Sequence, residues 1–243
     1  MPMVHIKSGW QLPMSDRCRH VTHFALRKRI IATCFTLACA WFLPAAAADI
    51  FVTVVDRDGH GIADVAVTAT PVRSGMVAAK DSKSAVMDQA NLSFAPRVLV
   101  ISTGTSVAFP NSDTVSHQVY SFSPAKRFQL PLYKGQVHPP VTFDRPGLVV
   151  LGCNIHDVMV GYIYVTEAPY FGKTEPGGGF EVKNAPDGEY HIGIWSPYIT
   201  DSAAALDRTI RVSGNEPATI RVQLSQKLRA QPEPKPRRRD WEY

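Results

Sequence analysis

Three side chains that soft metals favour fall in one short stretch, Leu151-Gly-Cys-Asn-Ile-His-Asp-Val-Met159: the thiol of Cys153, the imidazole of His156 and the thioether of Met159. A second imidazole, His117, comes earlier, just after Phe109-Pro-Asn-Ser-Asp113. Two imidazole nitrogens, one thiolate and a weakly held axial sulfur form the ligand set of a blue-copper electron-transfer site. Such a set suits both the cuprous and the cupric ion, so an electron can pass with little movement of atoms. Cys-x2-His alone is not specific, because zinc sites use similar spacings. Together with His117 and Met159, it narrows the chemistry to one copper ion.

The elements that must position these residues read as strands. Gly147-Leu-Val-Val-Leu151 and Gly161-Tyr-Ile-Tyr-Val165 are β-branched, apolar runs on either side of the loop, so residues 151–159 should connect a β-hairpin. His117-Gln-Val-Tyr-Ser-Phe122 alternates as a strand that His117 opens, and Val119, like Val160, belongs to packing. Strand-like runs also fall at Val86-Met-Asp, Arg97 to Ile101, Ser106 to Phe109, Phe128 to Leu132 and Val141 to Phe143. Gly104 and the Pro-rich stretches turn the chain between them, and no helical periodicity competes. Short strands at close spacing indicate an all-β sandwich or barrel.

On these residues the chain resembles the cupredoxins. Cys-x2-His-x2-Met closing a strand, with an earlier His in an Asn-Ser-Asp…His-x-Val-x-Phe context, is similar to the short copper loop of the amicyanin branch. Residues 86–165 further resemble periplasmic proteins described as methylamine utilization proteins, through Phe94-Ala-Pro, Gly104-Thr-Ser-Val-Ala-Phe-Pro-Asn111 and Phe143-Asp-Arg-Pro-Gly147. The resemblance implies a Greek-key β-sandwich over 86–167 with copper held by His117, Cys153, His156 and Met159. It also implies an electron carrier rather than an enzyme, working between a dehydrogenase and a c-type cytochrome. Gln118, where this family often has Asn, and Asp157, where it often has a less polar residue, depart from the pattern.

The flanks carry a second resemblance. Ile50 to Val55 and Val65 to Ala69, joined by Asp56-Arg-Asp-Gly-His-Gly61, read as a hairpin with His60 in its solvent-facing turn. Gly177 to Trp195, with Pro186-Asp-Gly188 at its middle, reads as another hairpin, and Thr219 to Leu224 as a last strand. These pieces resemble the two halves of an immunoglobulin-like, carboxypeptidase regulatory-like module at 49–72 and 170–225, into which the copper unit is inserted. Insertion is tolerated when the inserted unit's ends lie close together. A single larger sandwich using every strand is the competing arrangement. Arg73 to Lys83 reads as a polar linker.

The N-terminal segment reads as an export signal over 1–48. Arg27-Lys-Arg29 is the basic region, Ile30 to Leu43 the apolar core and Ala45 to Ala48 the cleavage region, with translation starting at Met1 or Met14. The apolar core is too short for a comfortable membrane span, so no span is expected after cleavage and the location is the periplasm. Of the four cysteines, Cys18, Cys34 and Cys39 would leave with the leader, and Cys153 would stand alone in an oxidising compartment. The formal charge of +5 is misleading: Asp49 to Leu224 hold 14 basic and 17 acidic residues. Nucleic acid is therefore not an expected partner, and the basic, Pro-rich end at 226–243 reads as disordered.

Two other function classes use the same residues. In one, Met159 stays off the metal and an open copper site acts as an enzyme or sensor. In the other, the immunoglobulin-like part is a binding module and the metal is structural or absent. No Ser-His-Asp order, phosphate-cradling loop or carboxylate pair points to a hydrolase. Each ligand imidazole needs a partner on its other nitrogen, for which Asn111, Asn154 and Asp157 are the candidates. His138 and His191 sit in no ligand-spaced cluster and are expected at the surface or in packing.

Overall fold

The computed structural model describes residues 47–73, 84–135, 138–214 and 216–230. The segment read as an export signal, apart from its last two residues, most of the stretch read as a linker and most of the basic end read as disordered lie outside them. The described chain is all-β apart from a single helical turn. It opens with β1 (Ala47–Val55) and β2 (Ala66–Pro71). The middle contains β3 (Ser84–Val86), β4 (Asp88–Ala90), β5 (Ser93–Ala95), β6 (Val98–Ser102) and β7 (Thr105–Ala108). It continues with β8 (His117–Ser123), β9 (Lys126–Tyr133), β10 (Val141–Phe143), β11 (Gly147–Gly152) and β12 (Val160–Thr166). Last come β13 (Tyr170–Lys173), β14 (Gly179–Pro186), β15 (Gly188–Trp195), α1 (Ala203–Leu206), β16 (Arg208–Val212) and β17 (Ala218–Gln223).

Apolar alternation divides these strands between two hydrophobic cores. The inner lobe is a sandwich of a five-stranded sheet, β6-β12-β11-β8-β9, over a three-stranded one, β10-β7-β3. Val107 and Phe143 from the smaller sheet meet Val119, Val149, Leu151 and Ile163 from the larger. Each of these side chains is buried almost completely, and each such burial stabilises by about 1.5–3 kcal/mol. The outer lobe pairs the sheet β14-β1-β17 with β13-β2-β15-β16. Its core is built from Ile50, Val52 and Val54, with Val67, Ala69, Val182, Ile192 and Val222.

The expected hairpin between β11 and β12 is present, in register from Gly147↔Val165 to Gly152↔Val160. The two hairpins expected in the flanks are not. β1 pairs with β14 and, in parallel, with β17, whereas β2 pairs with β13 and β15. The 56–65 connection crosses between the sheets with one bridge, Val55↔Gly61, in place of a ladder, and residues 174–178 take up backbone groups on either side of it. Thr174 Oγ1 donates to the Ile62 carbonyl at 2.6 Å and accepts from the Val65 N–H at 3.0 Å, while the Gly178 carbonyl accepts from Val54 N–H at 2.8 Å. A β-carbon on Gly61 would lie 2.3 Å from the Gly177 carbonyl carbon, so this crossing requires glycine.

β14 and β15 likewise turn a corner between sheets. Pro186 supplies no N–H to continue a ladder, and Gly188, with φ +155°, takes the bend. The run expected at Val86-Met-Asp is interrupted at Met87, between the end of β3 and the start of β4, and β5, β13 and β16 are additions. Ala47 and Ala48, read as the end of the export signal, pair with Pro186 and Ala185 in β1. Along β12, Gly161, Ile163 and Val165 face the inner core. Tyr162 and Tyr164 face the outer lobe, where Trp195 lies 5.8 and 5.6 Å from them between ring centroids.

Tyr190 holds the β14–β15 corner from inside the outer core, its hydroxyl donating to the Pro186 carbonyl at 2.7 Å. Tyr190→Phe should keep the packing and lose this bond, lowering stability by about 1 kcal/mol. Urea unfolding followed by tryptophan fluorescence checks it, with an unchanged midpoint as the contrary result.

Candidate metal centre

The five-stranded sheet brings together residues expected as metal ligands. His117 is the first residue of β8, and Cys153 directly follows the last residue of β11. These strands are neighbours, joined where Gly152 pairs with Tyr120. A β-carbon on Gly152 would come within 2.6 Å of Tyr120 Cζ, so the bare glycine lets the tyrosine ring lie against the strand that delivers Cys153. The loop from Cys153 to Met159 folds into two successive tight turns, the second closed by the Met159 N–H donating to the His156 carbonyl at 2.9 Å.

His117, Cys153 and His156 converge, with one ligand atom from each lying within 4.8 Å of the others. Cys153 Sγ is 3.9 Å from His117 Nδ1 and 3.8 Å from His156 Nδ1. Those separations fit a shared ion. With the bond lengths zinc takes, about 2.3 Å to sulfur and about 2.0–2.1 Å to nitrogen, two donors on one ion at roughly 110–130° lie about 3.6–3.9 Å apart. The imidazole rings stand edge to face at 5.0 Å. His117 is 0% exposed and Cys153 3%, while His156 is half-buried and reaches the surface. Met159, 1% exposed, packs in the same core as Cys153 and one turn of loop from His156.

The partner of His117 is Asp113, which sequence reasoning passed over. Its Oδ2 lies 3.0 Å from His117 Nε2, leaving Nδ1 as the nitrogen that faces Cys153. The carboxylate is itself held, with Oδ2 accepting from the Leu92 N–H at 2.8 Å and Oδ1 from the Thr114 N–H at 2.7 Å. The Leu92 bond, chief among these, keeps Asp113 below the usual carboxylate range although burial opposes it. A carboxylate in the turn of Asn111, four residues before His117, was the available signal.

Asn111, the candidate nearest His117 in sequence, does something else. Asn111 donates through Nδ2 to the Val115 and Tyr133 carbonyls and accepts from the Asp113 N–H, so it braces the turn rather than an imidazole. Its short amide is used up by the backbone around it. Asn154 and Asp157 sit at exposed positions of the two loop turns. His138 stacks edge-on against Tyr133 at 4.5 Å, His191 lies 3.6 Å from Asp207 at the surface, and exposed His60 meets Asp56 at 3.3 Å. None of these joins the metal group. Tyr133, opposite His117 in the ladder, donates to the Phe109 carbonyl at 2.6 Å and bonds Gln89, and burial pushes its phenol upward.

No family model and no curated protein matches the chain. Among solved structures, a reduced amicyanin mutant is similar at 23% identity and TM-score 0.32, covering 41% of this chain and 99% of that one. A purple cupredoxin from Nitrosopumilus maritimus is similar at 25% identity and TM-score 0.31, covering 34% and 99%. A copper-containing nitrite reductase from Thermus scotoductus is similar at 30% identity and TM-score 0.33, covering 40% of this chain but 25% of the reductase. Among the described residues, no helix is long and apolar enough to cross a membrane.

Gly152→Ala should destabilise the inner lobe by about 1–3 kcal/mol, because the added methyl meets the Tyr120 ring. Gly152→Ala combined with Tyr120→Ala should recover part of that loss relative to the sum of the single changes. Urea midpoints of the four proteins test this; strict additivity is the contrary result.

Proposed function

We propose that this protein is a periplasmic blue-copper protein that carries single electrons and is not itself an enzyme. The observation that carries the reading is the convergence of His117 Nδ1, Cys153 Sγ and His156 Nδ1 in one mostly buried group. Two nitrogens and one thiolate sulfur suit copper, with Met159 as the weak axial sulfur. Bound there, the ion supplies a one-electron couple.

The chain's own part is to keep the donor atoms still. His117 sits on a strand whose neighbours are fixed on both sides, and Cys153 sits at the end of an adjoining strand. A frame of this kind spares the site a rearrangement at each change of charge. His156 shares its loop with Ile155, 45% exposed, and Val158, 37% exposed, and with the exposed polar residues Asn154 and Asp157, so a partner meets an imidazole edge with both apolar and polar neighbours. We assign that edge to the exchange of electrons with a dehydrogenase and a c-type cytochrome, following the resemblance of residues 86–165 described above. The outer lobe we assign to an immunoglobulin-like, carboxypeptidase regulatory-like module, and residues 1–48 to an export signal.

Copper-loaded protein should be intensely blue, and Cys153→Ser should abolish the colour because a hydroxyl is the harder, less readily deprotonated ligand. His117→Ala and His156→Ala should each weaken copper affinity by more than about tenfold. Met159→Leu should keep the copper and raise the potential, since a sulfur donor is replaced by an apolar neighbour. Visible spectra and spectroelectrochemistry decide the matter. Full colour in Cys153→Ser would sink the copper assignment, and an unshifted potential in Met159→Leu would sink axial ligation.

A further inference from the structure

We infer that Asp113 is a positioning residue for the metal: it fixes which nitrogen of His117 is free to bind, and its charge favours the cupric over the cuprous ion. The inference rests on the copper reading above for its second half. Its first half concerns the metal-free protein alone.

His117 is wholly buried, so water cannot choose its tautomer. Its Nε2 faces Asp113 Oδ2 at 3.0 Å, and its Nδ1 faces the cysteine sulfur. An ionised carboxylate only accepts hydrogen bonds, so the proton of the neutral imidazole belongs on Nε2. The lone pair is then on Nδ1, directed at the metal position before any metal arrives. The carboxylate can impose this choice because it cannot swing away. The Leu92 N–H binds the same oxygen that His117 uses, the Thr114 N–H binds the other, and the Asp113 N–H is tied to Asn111.

The charge has a separate effect. A carboxylate behind a ligand imidazole raises the basicity of that ligand. It also places a negative charge one ring away from the ion, and 11% exposure screens it little. Both effects stabilise the more highly charged oxidation state. Asp113 therefore makes the centre a better electron donor than the same ligands would be without it.

Asp113→Asn separates the two effects. The amide oxygen at the Oδ2 position can still accept from His117 and Leu92, while the charge is gone and only the Thr114 bond is lost. Long-range 15N–1H correlation spectra of the metal-free protein report the His117 tautomer, and spectroelectrochemistry of copper-loaded protein reports the potential. The parent and Asp113→Asn should both show the Nε2–H form, and Asp113→Ala should lose its exclusivity. Asp113→Asn should hold the cupric ion at least about tenfold less tightly relative to the cuprous, a rise of about 59 mV for a one-electron couple.

A purely structural Asp113 predicts the opposite for the near-isosteric variant, namely an unchanged potential, and that result would overturn the charge effect. An unchanged tautomer in Asp113→Ala would overturn the positioning. If Asp113→Ala does not fold, an Nδ1–H form in the parent overturns the positioning just as directly. If the parent takes up no copper while its metal-free spectrum shows the Nε2–H form, the copper reading fails and the tautomer assignment stands.

Discussion

The metal group depends on one backbone contact, the pairing of Gly152 with Tyr120 that joins β11 to β8. Without that neighbourhood the imidazole of His117 and the thiol of Cys153 belong to unconnected strands. With it, two groups that are far apart in sequence face each other inside the core. Neither satisfies the other well at 3.9 Å. A buried imidazole and a buried thiol left at that distance forgo a good hydrogen bond to each other. The bareness of Gly152 belongs to the same design, since a side chain there would push Tyr120 off the strand.

Much of this was legible because the relevant signals are local. A strand shows itself by alternation over a few residues, so the runs around Val149, Ile163 and Val119 could be read directly. The group of His117, Cys153 and His156 was legible for the same reason: two of the three sit in one loop, and their types are those soft metals favour. What alternation does not report is which strand pairs with which. The period of two in Ile50 to Val55 and in Val65 to Ala69 suits a hairpin and a crossing between sheets equally well. The choice was made by Thr174, Gly177 and Gly178, residues a hundred or more positions away that take up the backbone groups of the connection.

Asp113 was missed for a related reason. Carboxylates in turns are common, and nothing in the order of residues says that this one lies under an imidazole. That follows from a short strand start at His117 and from an anchor, Leu92, contributed by a separate hairpin turn. Asn111 looked a better partner by type, but its amide was already engaged with the turn it stabilises. Second partners of this kind are decided by three-dimensional closure, so sequence alone narrows them to a neighbourhood rather than a residue.

The outer lobe treats the inner one as a closed ring. The chain leaves the outer lobe at Pro71, the end of β2, and returns at Tyr170, the start of β13, and those two strands lie side by side with Tyr170 opposite Ala69. Everything between is a loop whose two ends are held in one ladder. The entropy of closing such a loop grows only with the logarithm of its length, about 0.6 kcal/mol for each doubling. The outer lobe is therefore nearly indifferent to how much chain it encloses. The clasp sets where the enclosed segment begins and ends, and leaves its length and contents free to vary.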